Sequence, residues 1–141
     1  MEYRRLGRTD LQVSALALGT VELGLEYGIA MPGEFGRPTE DEAVRLVHTA
    51  LDGGMSLIDT ARAYGESEAV LGRALRGRRA EVLLATKVRT QRDDGTTLTG
   101  HALRQHMQRA LETSLRQPIP TMCGHMTSLR IRISMVTCCA S

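Results

Sequence analysis

Three residues, Asp59, Tyr64 and Lys87, have side chains that together could carry out acid–base chemistry. A phenol donates a proton poorly at neutral pH because its unperturbed pKa is about 10, but a nearby ammonium favours the phenolate and lowers that pKa. Lys87 is the candidate for this ammonium, and Asp59 would keep it charged and oriented. Such a group suits protonation of a carbonyl oxygen while hydride arrives from a nicotinamide.

These side chains lie at or just after the ends of predicted strands. Residues 56–59 and 82–87 are short apolar segments that end in Asp59 and Lys87, and Tyr64 follows the first of them. The carboxyl ends of neighbouring parallel strands meet at one edge of a sheet, which is the edge that carries active sites. We therefore expect the three side chains to come within reach of one another.

An earlier apolar run over residues 15–18, which ends at Gly19 and Thr20, predicts a third strand. The three segments are apolar without alternation, which is typical of strands buried on both faces of a parallel sheet. Ahead of them, residues 3–6 and 11–14 flank a turn-forming segment and predict an antiparallel hairpin.

Three amphipathic segments predict helices that alternate with the strands. Thr39 and Glu42 are spaced as a capping box, and the glycines at 53–54 supply the left-handed stop for this first helix. Apolar residues at helical spacing predict two more helices, over about residues 67–76 and 101–115. This alternation predicts the α/β class with a parallel sheet.

Two α/β architectures fit this order of elements, an open doubly wound sheet and a closed eight-stranded barrel. No Gly-x-Gly-x-x-Gly segment opens any of the helices, which disfavours the dinucleotide-binding Rossmann fold. Residues 21–38, rich in glycine and proline, predict a long loop of the kind that is commonly functional or mobile.

Composition narrows the class of protein. The 42% of hydrophobic and 24% of charged residues are ordinary for a globular domain, and 141 residues suffice for one. A net charge of +2 does not indicate nucleic acid or a membrane surface as a partner. The sequence contains neither a long apolar run nor a secretory signal, so we expect a cytoplasmic protein, and nothing in it specifies an oligomeric state.

Several motifs, taken in their order along the chain, resemble the signatures of aldo-keto reductases. They are Gly19-Thr20, the run Asp-Thr-Ala-Arg-Ala-Tyr-Gly at 59–65 followed by Glu68, and Ala-Thr-Lys at 85–87. The segment at 3–14 also resembles the hairpin that closes the bottom of the barrel in that family. The likeness covers about residues 1–116, which we treat as one domain.

The resemblance implies a fold and a reaction. The fold would be a partial TIM (β/α)₈ barrel with an N-terminal hairpin and about three to four βα units. The activity would be NADPH-dependent reduction of aldehydes or ketones to alcohols, with Tyr64 as the proton donor and Lys87 and Asp59 tuning it. Gly19, Thr20 and Asp59 would lie near the nicotinamide end of the cofactor.

The sequence departs from the family pattern after residue 116. A complete barrel needs about 200 to 250 residues, and the family's fourth strand, an Asp-Tyr-x-Asp-Leu-like segment that ends in a catalytic histidine, has no match. His101 and His106 fall in the third predicted helix, where we expect surface or interface residues. We therefore expect the barrel to be incomplete, with residues 117–141 an atypical tail that our hypothesis attributes to a change of reading frame.

A second interpretation is a non-catalytic product, either a truncated remnant or a barrel-like binding subunit. Taken singly, Asp59 could cap a turn, Tyr64 could be a half-buried aromatic residue and Lys87 a solvated strand end. No metal site is predicted, because the spacing of the cysteines and histidine near the chain end lacks the paired geometry of structural zinc. Two other groups are predicted to be structural, with His48 an ordinary helix position and the arginines at 73, 76, 78 and 79 a solvated helix end.

Overall fold

The computed structural model describes residues 1–28, 36–92 and 94–116, and of residues 115 and 116 only the backbone. The predicted tail at 117–141 and the cysteines within it lie outside this range. The described strands are β1 (Tyr3–Arg5), β2 (Gln12–Ser14), β3 (Ala17–Gly19), β4 (Leu57–Asp59) and β5 (Leu83–Ala85). The described α-helices are α1 (Val21–Gly24), α2 (Glu40–Asp52), α3 (Ser67–Ala74) and α4 (Gly100–Arg116), and a 3-10 turn covers Arg79–Glu81.

The central feature is a three-stranded parallel sheet in the order β3-β4-β5. The register places Gly19, Asp59 and Ala85 side by side at the carboxyl end of the strands. Helices α2, α3 and α4 follow the three strands in turn, so the described chain contains three strand–helix units. The predicted α/β class is confirmed.

One face of this sheet carries the hydrophobic core. Ile58 is fully buried in a cluster with residues of α2 and α3, and Leu18 and Leu84 beside it pack against the same cluster. Because side chains alternate between the faces of a strand, the neighbouring row points the other way, and Ala17 is exposed. The expectation that the strands are buried on both faces is therefore wrong for the described residues, since both core helices pack on a single face.

Helix α2 begins and ends as its sequence predicts. The Thr39 side chain accepts a hydrogen bond from the backbone N–H of Glu42, and the Glu42 carboxylate accepts one from the backbone N–H of Thr39. At the other end Gly54 has a φ of 88°, a conformation that residues with a Cβ adopt at a cost. Among the helices described, none is both long and apolar enough to cross a membrane.

The hairpin β1-β2 is antiparallel, as predicted, and docks at the amino-terminal end of β4. Ser14 and Ser56 exchange two hydrogen bonds of 2.9 Å, each backbone N–H donating to the other residue's hydroxyl oxygen. The Tyr3 hydroxyl donates to the carbonyl of Gly54 at 2.9 Å. The hairpin therefore covers the edge of the sheet opposite the one that carries Asp59.

Helix α1 lies in the segment for which the sequence predicts only a loop. This single turn packs so closely on the chain around Tyr64 that a Cβ on Gly24 would overlap the Tyr64 carbonyl oxygen. Gly65, with a φ of 54°, faces the carbonyl of Gly24 from the other side of this contact. A turn this short carries too little helical periodicity to be recognised, and its stability comes from the tertiary contact.

The arginines near the end of α3 are more than a solvated helix end. Arg73 pairs with Glu40 at the start of α2, and Arg78 pairs with Asp52 at the end of α2 at 2.8 Å. Arg79 lies half-buried and donates to the carbonyl of Val82 at 2.9 Å. The ion pairs of Arg73 and Arg78 join α2 to α3 and to the segment after it. The prediction of a solvated helix end is therefore wrong for Arg73, Arg78 and Arg79, whereas Arg76 is exposed.

Gly24→Ala is expected to destabilise the fold, because the added methyl group has no space between α1 and the Tyr64 turn. Overpacking of this kind costs about 1–3 kcal/mol in the free energy of unfolding. Urea unfolding followed by circular dichroism measures the change. Gly19→Ala is the matched control, since its Cβ would meet nothing within 4 Å, and equal stability losses in the two variants would contradict the close approach.

Candidate functional site

The three residues singled out for acid–base chemistry come together at the carboxyl edge of the sheet. Asp59 is the last residue of β4, and Lys87 lies just beyond β5 in the neighbouring strand position. Tyr64 occupies the turn between β4 and α3, where its backbone N–H donates to the carbonyl of Ala61 at 3.0 Å. Parallel pairing of β4 and β5 thus delivers the side chains from two strand–helix units to one place.

The Lys87 ammonium is the centre of this group. Its Nζ donates to Asp59 Oδ2 at 2.5 Å, to the Tyr64 hydroxyl oxygen at 3.3 Å and to the Thr60 carbonyl at 3.4 Å. An ammonium has three donors and no acceptor, so each of its donors has a partner here. Three acceptors in fixed directions leave the ammonium little freedom to move.

The contact between Lys87 and Tyr64 determines where the phenolic proton can go. Because the ammonium can only donate, the Tyr64 oxygen accepts in this contact, and its own proton is free to point toward another acceptor. Tyr64 is half-buried, and Lys87 Nζ lies 5.1 Å from the centre of its ring. The phenol is therefore arranged as a donor to a molecule outside the group.

The pKa of Lys87 is raised above its ordinary value. Partial burial of the ammonium alone would lower the pKa, but the hydrogen bonds to Asp59 and Tyr64 and the attraction of the carboxylate outweigh this effect. The lysine therefore stays charged throughout the neutral range.

Exposure shows that the ion pair between Lys87 and Asp59 is not chiefly a device for stability. Each side chain retains 44% of its accessible surface. Water screens ion pairs at this exposure, and such pairs contribute about 0–1 kcal/mol to folding. The pair is better suited to holding charges in place at an open edge than to stabilising the fold.

Gly19 and Thr20, the other two predicted site residues, differ sharply in exposure. Gly19 lies beside Asp59 in the neighbouring strand, is exposed, and has open space where a Cβ would be. Thr20 is only 1% exposed, and its hydroxyl donates to the Asp59 carbonyl at 3.0 Å. The glycine leaves room beside Asp59, whereas the threonine hydroxyl holds the Asp59 backbone.

Sequence reasoning missed the buried hydroxyls of Thr60 and Ser67, which surround Thr20. Thr20, Thr60 and Ser67 are 1%, 2% and 0% exposed respectively, and the Ser67 hydroxyl oxygen lies 2.8 Å from that of Thr20 and 3.2 Å from that of Thr60. Serine and threonine beside a strand end or a helix start are ordinary in type, so no local signal marks them as a cluster.

Glu68, part of the motif quoted from the sequence, joins β5 to α4. Its carboxylate accepts from the hydroxyls of Thr86 at 2.8 Å and Ser114 at 3.0 Å. Arg62 donates to the carbonyl of Ala110 at 3.4 Å and forms a second link between the Tyr64 turn and α4. Helix α4 is thus attached to the site edge by polar contacts.

The amino-acid composition distinguishes Lys87 from the other basic residues. It is the only lysine in the sequence, whereas all the other residues of the 18 in the lysine and arginine count are arginines. An ammonium is a compact donor on a flexible stem, and a planar guanidinium does not reproduce its geometry. Lys87 therefore differs in side-chain chemistry from every arginine of the chain.

The histidines among the described residues lie on helices and not at the carboxyl ends of the strands. His101 is exposed and His106 is partly buried, both on α4. His48 on α2 contacts the carbonyl of Ala74 through Nε2 at 2.8 Å and ties α2 to α3. No cluster of three or more metal-binding side chains occurs among the residues described.

Comparison with known proteins identifies the family. The model of the aldo/keto reductase family matches residues 15–118. The chain belongs to the aldo/keto reductase family. It is 34% identical over 121 residues to "Aldo-keto reductase YhdN" of Bacillus subtilis, an alignment that covers 83% of this chain and 34% of that protein. The chain thus spans about a third of the length of this relative.

Solved structures agree with this assignment. PA4992 from Pseudomonas aeruginosa superposes with a TM-score of 0.64 and 40% identity, covering 82% of this chain and 42% of that one. The holo form of aldo-keto reductase AKR11C1 from Bacillus halodurans gives a TM-score of 0.63 and 31% identity, covering 84% and 36%. These matches confirm the predicted architecture, a partial TIM barrel preceded by a hairpin.

Asp59→Asn is expected to lower the pKa of Lys87, because burial then opposes the charge with one attractive partner fewer. Lysine labelled with a heavy isotope at Cε gives a single side-chain signal to titrate by NMR, since the sequence contains one lysine. Asp41→Asn, an exposed change on α2, is the control. Identical titration curves for the wild type and Asp59→Asn would mean that the contact does not form in solution.

The raised pKa also sets the pH range of its contribution to folding. A pKa that is higher in the folded state stabilises fully below the unfolded value of about 10.4 and ceases to do so as the pH rises through the folded value. Stability contributed by Lys87 is therefore expected to disappear only in alkaline solution.

Proposed function

We propose that this chain carries the proton-donating part of an NADPH-dependent reductase that converts aldehydes or ketones to alcohols. The observation that supports this best is the Lys87 ammonium, which contacts both the Tyr64 hydroxyl and the Asp59 carboxylate. Membership of the aldo/keto reductase family supports the same reaction class. Because the chain spans about a third of its curated relative, the activity of the whole enzyme is part of the proposal.

Each side chain has a role in the proposed proton transfer. Tyr64 donates its hydroxyl proton to the substrate carbonyl oxygen, which becomes the alcohol oxygen. Lys87 stabilises the phenolate that remains, and Asp59 holds the ammonium in position. A positioned general acid of this kind contributes about 10²- to 10⁴-fold to the rate.

The residues at this edge fit a nicotinamide. The exposed Gly19 and the small Ala85 flank Asp59 in the register of the sheet, so the carboxylate is bordered by backbone rather than by bulky side chains. A flat ring can approach backbone here because a Cβ on Gly19 would meet nothing within 4 Å. NADPH, when bound, supplies the hydride for the carbonyl carbon. Thr20 supports this cofactor edge from below through its bond to the Asp59 carbonyl.

A structural relative supports the choice of cofactor. The crystal structure of an aldo-keto reductase from Klebsiella pneumoniae in complex with NADPH superposes with a TM-score of 0.51 at 28% identity, covering 76% of this chain and 32% of that one. We extend this cofactor to the present chain as a proposal that binding measurements can test.

Tyr64→Phe is expected to lower the rate of NADPH oxidation with a panel of aldehydes by about 10²-fold or more, because the proton donor is removed. Absorbance of NADPH provides the measurement. Tyr3→Phe is the matched control, since that hydroxyl contacts Gly54 at the opposite edge of the sheet. Turnover that survives in Tyr64→Phe would contradict the proposal, and absent turnover in folded wild-type protein would favour the non-catalytic interpretation.

Gly19→Val is expected to weaken NADPH binding by about tenfold, because a branched side chain would fill the open space beside Asp59. The quenching or enhancement of NADPH fluorescence on addition of protein gives the affinity. Ala80→Val, at an exposed position before β5, is the control. Unchanged affinity in Gly19→Val would remove Gly19 from the cofactor site.

A further inference from the structure

We infer that Ser67 is a positioning residue that holds the backbone segments carrying Asp59 and Tyr64 in register with the Lys87 ammonium. This inference rests on the proposed function for its consequence in catalysis. The geometry on which it depends can be tested without turnover. Ser67 is the first residue of α3 and is fully buried.

The Ser67 hydroxyl lies at the centre of the buried hydroxyl cluster. Its Oγ is 2.8 Å from the Thr20 carbonyl and 2.8 Å from Thr20 Oγ1, and 3.2 Å from Thr60 Oγ1. At this depth water cannot replace any of these partners, so each contact depends on the serine oxygen.

The number of hydroxyl protons available fixes the direction of each hydrogen bond in the cluster. The single hydroxyl proton of Thr20 goes to the Asp59 carbonyl at 3.0 Å, so Ser67 must supply the proton that it shares between the two Thr20 oxygens. Ser67 then has only acceptor capacity left for Thr60, whose hydroxyl must donate to it. The hydrogen bonds therefore run from Thr60 through Ser67 and Thr20 to the Asp59 backbone.

The backbone of Ser67 extends the same support to Tyr64, because its N–H donates to the Tyr64 carbonyl at 3.0 Å. All three acceptors of the Lys87 ammonium therefore belong to residues that Ser67 holds directly or through Thr20. Asp59 is held through Thr20, Thr60 through its hydroxyl, and Tyr64 through its carbonyl.

Removal of the hydroxyl should loosen this arrangement. In Ser67→Ala the Thr20 carbonyl keeps only the Leu23 backbone N–H of its two donors, and the Thr20 and Thr60 hydroxyl oxygens lose their hydrogen bonds to Ser67 at a buried site. The strand ends then shift to find new partners, and the three acceptors of Lys87 move apart. Because small displacements of reacting groups cost up to about a hundredfold in rate, kcat is expected to fall about ten- to a hundredfold while KM changes little.

The test compares the full-length wild type with Ser67→Ala and with Val70→Ala, a change in the same helix at a residue that is 1% exposed and lies outside the cluster. The single lysine is labelled at Cε and titrated by NMR. We expect the pKa of Lys87 to fall in Ser67→Ala, because looser contacts with Asp59 and Tyr64 leave burial as the stronger effect. Val70→Ala is expected to lower the unfolding midpoint without moving this titration.

Two outcomes overturn the inference. Either Lys87 titrates in folded Ser67→Ala as in the wild type, or Val70→Ala shifts the titration as far as Ser67→Ala does, which would make the effect a general loss of stability. Restoration of the wild-type titration by Ser67→Thr or Ser67→Cys supports the hydroxyl cluster. A wild type without turnover whose Lys87 titration still depends on Ser67 would refute the proposed function and leave this inference intact.

Discussion

The arrangement of the carboxyl edge of the sheet depends on providing hydrogen-bond acceptors for one ammonium, that of Lys87. Lys87 needs three acceptors, and they come from a carboxylate, a phenol and a backbone carbonyl that local sequence cannot bring together. Parallel pairing of β4 with β5 provides the approach, and the turn after β4 folds back to add Tyr64. The hairpin covers the opposite edge of the sheet. The group around Lys87 and the contacts of the hairpin therefore lie at different ends of the strands.

Support for this edge comes from close packing beneath it. Helix α1 approaches the Tyr64 turn at a distance that only glycine at position 24 allows, and Gly65 faces it in a left-handed conformation. Next to this contact the buried hydroxyls of Thr20, Thr60 and Ser67 bond only to one another and to backbone. The turn that carries Tyr64, the proposed proton donor, is therefore held by close packing and by buried hydrogen bonds.

The two faces of the sheet differ in burial and in proposed role. The row that contains Ile58 is buried against α2 and α3 and supplies the hydrophobic stabilisation of the described fold. The alternate row begins with the apolar pair Leu57 and Leu83, which are partly exposed, and ends with Gly19, Asp59 and Ala85. Gly19 and Asp59, which are proposed to lie near the cofactor, therefore belong to the face that the described helices leave open.

Much of this organisation can be predicted from the sequence, because periodicity and caps are local. The hairpin, the three parallel strands, the capping box of α2 and the grouping of Asp59, Tyr64 and Lys87 all follow from spacing and residue type. Helix α1, the ion-paired arginines and the role of Ser67 do not, since a serine at a helix start has the same local sequence whether its hydroxyl meets water or three buried partners. Sequence determined which chemistry the chain could contain and at which strand ends. Tertiary structure alone decided which backbone groups hold it, because hydrogen bonds between residues more than forty positions apart depend on the packing of elements that periodicity cannot specify.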